Sequence, residues 1–592
     1  MSNNDLHKIC KSYEKAEYIA IDTEFIRERT YWPKLCLIQV FDGKKASIID
    51  PLVNGIDLAP LIDLLENDSI TKIFHAGRQD IHSHGDNLDF LIALNQKELE
   101  RNHEDMADGG GIIFNSDKIK TDKIEINEKV KLFPIPVNGI ISKFGKNPIL
   151  QNTVALGALV KLVGMEYDIL ENVITDYFGK KKRSALEINL SVSKAGYEYA
   201  EANFEKMDFD LECDYNKHRH LLTGNQSIAL GAIAAGCQFY CAYPMTPASS
   251  ILNWLDAKAA QTKMVVKQAE DEIAVMNMAI GAGFAGARSM VGTSGGGFSL
   301  MTEAIGLAAQ TETPVVIINS MRGGPSTGLP TKTEQADLFQ AIGASQGDFP
   351  KMIVAPSNVR DCFYTVTEAF NIAEKYQIPA IVLSDLLLSE HMETIEELDF
   401  DMEHYKEELA KPNGGRFRRY EFTENGVSQR SIPGVEGTIF QATSDEHNDF
   451  GDIISDVFTD EEMRVKMQQK RMRKMMYLLK ELPEPKLQGD SDADITLVGW
   501  GSTAPIIKEA MEIIQNDGIR VNHLHLKYLV PFHSDVVNSI LNNAKNVLDI
   551  EANYTGQLSK LITMETGFTI TNKLLKYDGE PIYSKHIINK VK

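Results

Sequence analysis

Four segments between residues 224 and 345 carry residue types suited to holding a small anionic substrate. Tyr243-Pro-Met-Thr-Pro-Ala248 follows an apolar run, and its two prolines stiffen it. Gln268-Ala-Glu-Asp-Glu272 follows the next apolar run, so Glu270 points toward the same crevice. Gly292-Thr-Ser-Gly-Gly-Gly-Phe-Ser-Leu-Met301 and Arg322-Gly-Gly-Pro-Ser-Thr-Gly-Leu-Pro-Thr331 complete the set. Open α/β sheets bind ligands outside the carboxyl ends of their strands. A lone Arg322 among small residues can clamp a carboxylate bidentately. Threonine hydroxyls can bond the same group, and glycines admit close backbone approach. Any one of these segments could be a tight turn; four of them, all at strand ends, point to a site.

A second constellation lies near the start. Asp22-Thr-Glu24 ends an apolar run, and two carboxylates at i and i+2 of a strand share a face. That arrangement can share divalent cations in phosphodiester chemistry, with Asp80 as a further ligand. His75, His82, His84 and Asp86 also have metal-ligand types, but a run of His, Ser, Gly and Asp is a turn first. Gly281-Ala-Gly-Phe-Ala-Gly286 fits the dinucleotide pattern GxGxxG. That pattern needs a strand before it. Asp271–Ala279 instead has a helical period, with Ile273, Met276 and Ile280 on one apolar face, so the glycines are expected to let a helix pack closely.

The elements expected to position these residues come in blocks. Short strands are expected at residues 18–22, 35–41, 46–50 and 72–75, with an amphipathic helix at 58–66. Further strands are expected at 88–95 and 109–114, and helices at 153–164 and 169–177. From Gly224 to about Glu390 strands and helices alternate, as in a mostly parallel sheet covered by helices. Residues 400–480 are charged and irregular, ending in the basic stretch Met467-Gln-Gln-Lys-Arg-Met-Arg-Lys474, and a Pro-containing linker over 481–490 precedes a last α/β unit.

The 592 residues allow about four folding units. With 61 Lys+Arg against 83 Asp+Glu the formal charge is −22, which repels phosphate backbones and anionic lipid. Nucleic acid is therefore a poor default partner. The six cysteines form no CxxC pair, which counts against a disulfide scaffold and against a metal or iron–sulfur site made by this chain alone. No apolar run approaches 18 residues, so no membrane span is expected and a cytoplasmic protein is.

Residues 16–82, through Ile21-Asp-Thr-Glu-Phe-Ile-Arg27 and Phe74-His-Ala-Gly-Arg-Gln-Asp80, resemble the start of ribonuclease D-type 3′→5′ exonucleases. The family's third motif, on a later helix, is missing, so the resemblance implies an incomplete, ribonuclease H-like metal set of Asp22, Glu24 and Asp80. Gly224-Asn-Gln-Ser-Ile-Ala-Leu-Gly231, the four segments above, Thr333-Glu-Gln-Ala-Asp337 and Ile378-Pro-Ala-Ile-Val-Leu-Ser-Asp385 resemble the α subunit of 2-oxoacid:ferredoxin oxidoreductases, most closely the 2-oxoglutarate type. Gly499-Trp-Gly-Ser-Thr503, Pro531-Phe532 and Glu551-Ala-Asn-Tyr-Thr-Gly-Gln-Leu558 extend the match. Residues 84–205 resemble the family's γ portion, without its Gly-rich opening. Gly296 stands where the family usually has Pro.

The resemblance implies multidomain α/β architecture with doubly wound parallel, transketolase-like sheets that bind thiamine diphosphate. The expected domains are 1–82 (incomplete exonuclease-like fragment), 83–205 (truncated γ type), 206–222 (connector), 223–400 (pyrimidine-binding), 401–490 (irregular spacer and linker) and 491–592 (transketolase C-terminal-like). It implies that Glu270 is catalytic and hydrogen-bonds the aminopyrimidine ring beside Tyr243 and Pro244. Thr246, Arg322 and Thr331 would bind the 2-oxoacid. Thiamine diphosphate with Mg²⁺ would be shared with a β subunit, which alone would hold an iron–sulfur cluster, and coenzyme A and ferredoxin would complete the reaction. Two other readings stay open: a metal-dependent exonuclease, and a chimeric chain whose first segment is inert.

Overall fold

The computed structural model of the chain describes residues 85–592 apart from residues 86, 123, 146, 179–182, 208, 210–218, 401–403, 406–408, 412–413 and 456–458; ahead of residue 85 it describes residue 11 and four strands. Two compact units divide the chain, Met1–Ile81 and His82–Lys592.

In the first unit, β1 (Tyr18–Ile26), β2 (Lys34–Phe41), β3 (Ala46–Ile49) and β4 (Thr71–Phe74) form one sheet in the order β3-β2-β1-β4. β1 runs antiparallel to β2 and parallel to β4, and a register shift falls between Glu24 and Phe25. Three of the strands lie within one residue of the expected ones and β1 runs four residues past its expected end, each being a short β-rich run bounded by polar residues. The expected helix at 58–66 lies outside the described residues.

The second unit opens with a small parallel sheet of β5 (Leu88–Ala93), β6 (Met106–Asn115) and β7 (Lys131–Ile135). Helices Leu150–Leu162 and Arg183–Asn203 pack on each other so tightly that a Cβ on Gly157 would stand 1.9 Å from the Ser193 carbonyl oxygen. Neither β7 nor the second of these helices was expected. β7 contains a proline, and the helix begins in a basic run.

β8 (His220–Thr223) pairs with β15 (Met392–Ile395), bringing the two ends of the next domain together. Between them lies a seven-stranded sheet. It contains β9 (Phe239–Ala242), β10 (Val265–Gln268), β11 (Ser289–Thr293), β12 (Val315–Met321), β13 (Met352–Val354) and β14 (Pro379–Asp385) in the order β10-β9-β11-β12-β14-β13, closed by β19 (Tyr528–Val530). All pairs are parallel except β13 with β19. β12 and β14 are buried at every residue, as parallel strands covered on both faces must be. Alternate residues feed two cores. Val316 and Ile318 pack with Ile228, Phe363 and Val382, whereas Val315 and Ile317 pack with Met276, Phe298 and Ile381.

The last domain is a sheet in the order β16 (Leu487–Gly489), β18 (Val521–His525), β17 (Ile495–Gly499), β20 (Val547–Glu551), β21 (Asn572–Leu575). Its Val498, Trp500 and Leu524 join the second core of the large sheet, and β19 is the edge strand of that sheet. The two domains are therefore one packed body.

The described residues of 400–480 have little regular structure before helix Glu461–Glu481, as expected, but they are not a loose spacer. Three basic residues of that helix, Lys470, Arg471 and Lys474, are buried. Lys470 and Lys474 are fully buried and both donate to the buried Glu312 carboxylate, at 2.7 and 2.6 Å. Arg419 donates to the Glu312 carbonyl at 2.9 Å, and Arg471 to Glu446 at 2.7 Å. Burial alone would raise the Glu312 pKa; the charges of Lys470, Lys474 and Arg419 override it and hold the carboxyl far below the usual range. A pKa lowered on folding stabilises the native state above the unfolded value of about 4.5, and that stabilisation fades as pH falls. Glu312→Gln should therefore cost about 3–5 kcal/mol at pH 7 by leaving two buried ammonium groups unpaired. Denaturant unfolding of the full chain should show the gap from wild type narrowing below about pH 4.

Candidate active site

The order of the large sheet fixes where a ligand can enter. The connection leaving β9 runs outward to β10, whereas the one leaving β11 runs the opposite way to β12. Between neighbours whose connections diverge, no crossover covers the carboxyl ends, and a crevice results. The loop after β9 is Tyr243–Ala248, and the loop after β11 opens helix Gly295–Gln310. Four of the expected segments thus converge on one pole of one sheet.

Arg322 and Thr246 are brought into direct contact. The Arg322 guanidinium donates to the Thr246 carbonyl oxygen at 2.7 Å. Thr246-Pro247 and Gly324-Pro325 are cis peptides. Thr331 is exposed, and the Gly323 N–H donates to the Lys332 carbonyl at 3.1 Å, so Arg322 and Thr331 stand at the two feet of one loop. Tyr243 is 39% exposed, and Pro244 beside it is exposed. Glu270 is exposed two residues beyond Gln268, which pairs with Ala242 at the end of β9.

The structure separates three carboxylates that the sequence presents as one cluster. Asp271 caps helix Glu272–Phe284, accepting from the Ala274 N–H at 2.8 Å. Glu272 is buried, its Oε1 receives no hydrogen bond, and burial raises its pKa. Glu270 alone faces solvent. The GxGxxG stretch is helical up to Phe284, as expected, and close packing holds for Gly283, whose Cβ would stand 2.7 Å from the Pro314 carbonyl oxygen. Gly281 has no such neighbour, and Ile273 is 51% exposed, so the expected apolar face is a residue too wide.

In the sequence Asp337 is marked only by its place in the stretch Thr333–Asp337. Burial pushes its pKa up to about 6, against the pull of the Asn319 amide at 3.2 Å and the Arg322 charge. A Cβ on Gly295 would stand 2.5 Å from its carboxylate. Nothing local marks Asp337 as part of the site, since β12 and the loop after it deliver it from 15 residues beyond Arg322. Asp22 and Glu24 lie in β1, paired with Gln39 and Leu37; Asp80, His75, His82, His84 and Asp86 lie outside the described residues. Among the described residues no group of three or more His, Cys, Asp or Glu could hold a metal ion, and no helix is long and apolar enough to cross a membrane.

Family comparisons agree with this geometry. Residues 230–466 match the thiamine-diphosphate-binding family of pyruvate flavodoxin/ferredoxin oxidoreductases, residues 493–587 core domain II of pyruvate:ferredoxin oxidoreductase, and residues 70–199 the pyruvate ferredoxin/flavodoxin oxidoreductase family. Residues 2–93 match a 3′–5′ exonuclease family, overlapping the preceding match. Sheet, crevice and matches together define an oxidoreductase subunit of the thiamine-diphosphate-binding class. The chain is 34% identical over 490 residues to the 2-oxoacid:ferredoxin oxidoreductase subunit alpha of Saccharolobus solfataricus, covering 78% of this chain and 76% of that one. It is 34% identical to the 2-oxoglutarate oxidoreductase subunit KorA of Mycobacterium tuberculosis, over 82% and 77% of the two chains. The solved 2-oxoglutarate:ferredoxin oxidoreductase from Magnetococcus marinus, with 2-oxoglutarate, coenzyme A and succinyl-CoA bound, has a TM-score of 0.81 at 29% identity, covering 99% of this chain and 96% of that one. The chain belongs to the α subunits of the 2-oxoacid:ferredoxin oxidoreductases.

Two adjacent glycines test how tightly the crevice floor is built. A Cβ on Gly297 would stand 2.2 Å from Thr293 Oγ1 and 2.3 Å from Glu272 Oε1, whereas one on Gly296 meets nothing within 4 Å. Gly297→Ala should destabilise the chain by about 1–3 kcal/mol through overpacking. Gly296→Ala should be neutral or stabilising by up to about 1 kcal/mol, as for glycine replaced within a helix. Thermal unfolding of the two variants side by side checks the contrast.

Proposed function

We propose that this chain, with a β-type subunit, oxidatively decarboxylates a 2-oxoacid, 2-oxoglutarate foremost, to carbon dioxide and an acyl-coenzyme A while two ferredoxins are reduced by one electron each. The observation that carries the reading is the Arg322–Thr246 contact at the switch-point crevice. A guanidinium at that place, donating to a neutral carbonyl, can turn to a substrate carboxylate and gain a charge-assisted bidentate bond. Names of relatives favour 2-oxoglutarate, since the Mycobacterium tuberculosis relative is a 2-oxoglutarate oxidoreductase subunit and the solved Magnetococcus marinus enzyme has that acid bound.

The residues present fit the ring end of thiamine diphosphate. Tyr243, Pro244 and Glu270 are exposed at adjacent strand ends, and an exposed carboxylate there can accept a hydrogen bond from a ring nitrogen. When bound, the cofactor supplies the nucleophilic carbon and the electron sink for decarboxylation. Glu270 would hold its ring and bias the ring's protonation. Thr246 and Thr331 would bond the carboxylate and oxo oxygens while Arg322 offsets the substrate charge. Mg²⁺ with the diphosphate, and the iron–sulfur cluster, are assigned to the β-type subunit. Under this reading the exonuclease-like segment, with Asp22, Glu24 and Asp80 but without its family's third motif, is inert, and the protein works in the cytoplasm.

The test is carbon dioxide release and ferredoxin reduction by the complex of this chain with its β-type subunit, supplied with thiamine diphosphate, Mg²⁺ and coenzyme A. Arg322→Ala should raise the KM for the 2-oxoacid by about 10- to 100-fold, the loss of one charge-assisted hydrogen bond of about 1.5–3 kcal/mol. Glu270→Gln should lower kcat by roughly 100-fold or more. No turnover of 2-oxoglutarate, pyruvate or branched 2-oxoacids by the wild-type complex would overturn the reading.

A further inference from the structure

Three of the segments that match the family, Asp337 apart, lie outside the four loops of the crevice. Residues 333–337, 499–503 and 551–558 meet one another at the junction of the large sheet with the C-terminal domain. Gln335 is the centre of that junction and is fully buried. Each of its four polar groups is bonded to the C-terminal domain. Its N–H donates to the Ala552 carbonyl at 2.7 Å, and its carbonyl accepts from Asn553 Nδ2 at 3.1 Å. Its side-chain oxygen accepts from the Ala552 N–H at 3.2 Å, and its side-chain amide donates to the Trp500 carbonyl at 3.0 Å.

The partners of Gln335 are themselves fixed by one buried carboxylate. Glu551 accepts from Asn553 Nδ2 at 2.7 Å, from the Trp500 indole at 3.3 Å, and from the Leu558 and Ser559 N–H groups at 2.9 and 3.1 Å. Those last two open helix Gln557–Thr566, whose N-terminal dipole also favours the anion. Gln557 extends the junction, donating to the Ala336 carbonyl at 2.7 Å and accepting from the Phe339 N–H at 3.0 Å. The Thr333 N–H donates to the Gly579 carbonyl at 3.3 Å, and Lys332 pairs with Glu580.

This junction matters for the site because of what precedes it in the chain. The loop that carries Arg322 and Thr331 has one foot in β12, which is buried at every residue. Its other foot is Lys332–Gln335. We infer that Gln335 is a positioning residue for substrate binding: held by Trp500, Ala552 and Asn553, it sets the second foot of the loop and thereby the reach of Arg322. The C-terminal domain contributes no side chain to the crevice in this account; it acts by fixing where the loop ends. This rests on the proposed decarboxylation for its kinetic readout, but not for its structural one.

Two measurements on the full-length protein test it. In the complex with the β-type subunit, Gln335→Ala and Asn553→Ala should each raise the KM for 2-oxoglutarate by about tenfold or more, as misplacement of a binding group does. The kcat and the KM for coenzyme A should change less than about threefold. Hydrogen exchange on the chain alone should speed up over residues 323–334 in both variants while β17 and the helix Thr503–Asn516 keep wild-type protection. Equal changes in both KM values, or faster exchange throughout the C-terminal domain, would assign Gln335 a general packing role and overturn the inference. If the wild-type complex turns over no 2-oxoacid, the functional reading fails and exchange over 323–334 alone decides Gln335. Gln335→Glu, which keeps the acceptor and loses the donor to Trp500, should fall between wild type and Gln335→Ala.

Discussion

The divergence of the connections leaving β9 and β11 is the constraint on which the rest of the structure depends. Parallel strands need crossovers, and each crossover covers the sheet on the side toward which it runs. Only where two neighbouring crossovers part does the carboxyl edge stay open, and here that edge lies between Tyr243–Ala248 and Ser294–Gly297. Arg322 reaches the Thr246 loop from the neighbouring β12, and Glu270 follows β10 on the other flank. A single topological choice thus brings residues nearly eighty positions apart in sequence to one pole.

An open edge needs rigid surroundings, and two polar constructions supply them. On one side Glu312 gathers Lys470, Lys474 and the Arg419 guanidinium, tying a mostly irregular segment to the turn before β12. On the other, Glu551 gathers Trp500, Asn553 and a helix start, and through them Gln335. Both use one buried carboxylate as an acceptor for several donors, which is costly to assemble and costlier to break. They sit at the two ends of the β12 region, so the strand that leads into Arg322 is held before and after.

The alternation of strands and helices after Gly224 was legible, because parallel strands buried on both faces leave short, strongly apolar runs such as Val315–Asn319 and Pro379–Ser384. The four crevice segments were legible from Gly, Pro and Thr at strand ends. Other features were not. Glu270, Asp271 and Glu272 are chemically alike in sequence, and only the entry angle of the helix decides that one is exposed, one caps and one is buried. The stretch Lys470–Lys474 has the composition of a solvated helix, and nothing local reveals that Glu312 waits for it more than 150 residues earlier. The short strands β13 and β19 carry too few residues for a pattern; β13 is defined by its pairing with β14, and β19 by its pairing with β13.

By itself the sequence determined the class of fold and the family, since these follow from local patterns that any neighbourhood would read the same way. The tertiary structure alone decided that Glu270 is exposed while Glu272 is buried, that Asp337 lies beside Gly295 and Asn319, and that Thr333–Gln335 joins the family-matching runs at 499–503 and 551–558 in a brace. The reason is physical: burial and hydrogen-bond partners are properties of the packed body, and a side chain's charge, exposure and reach are set by neighbours that the chain supplies from far away.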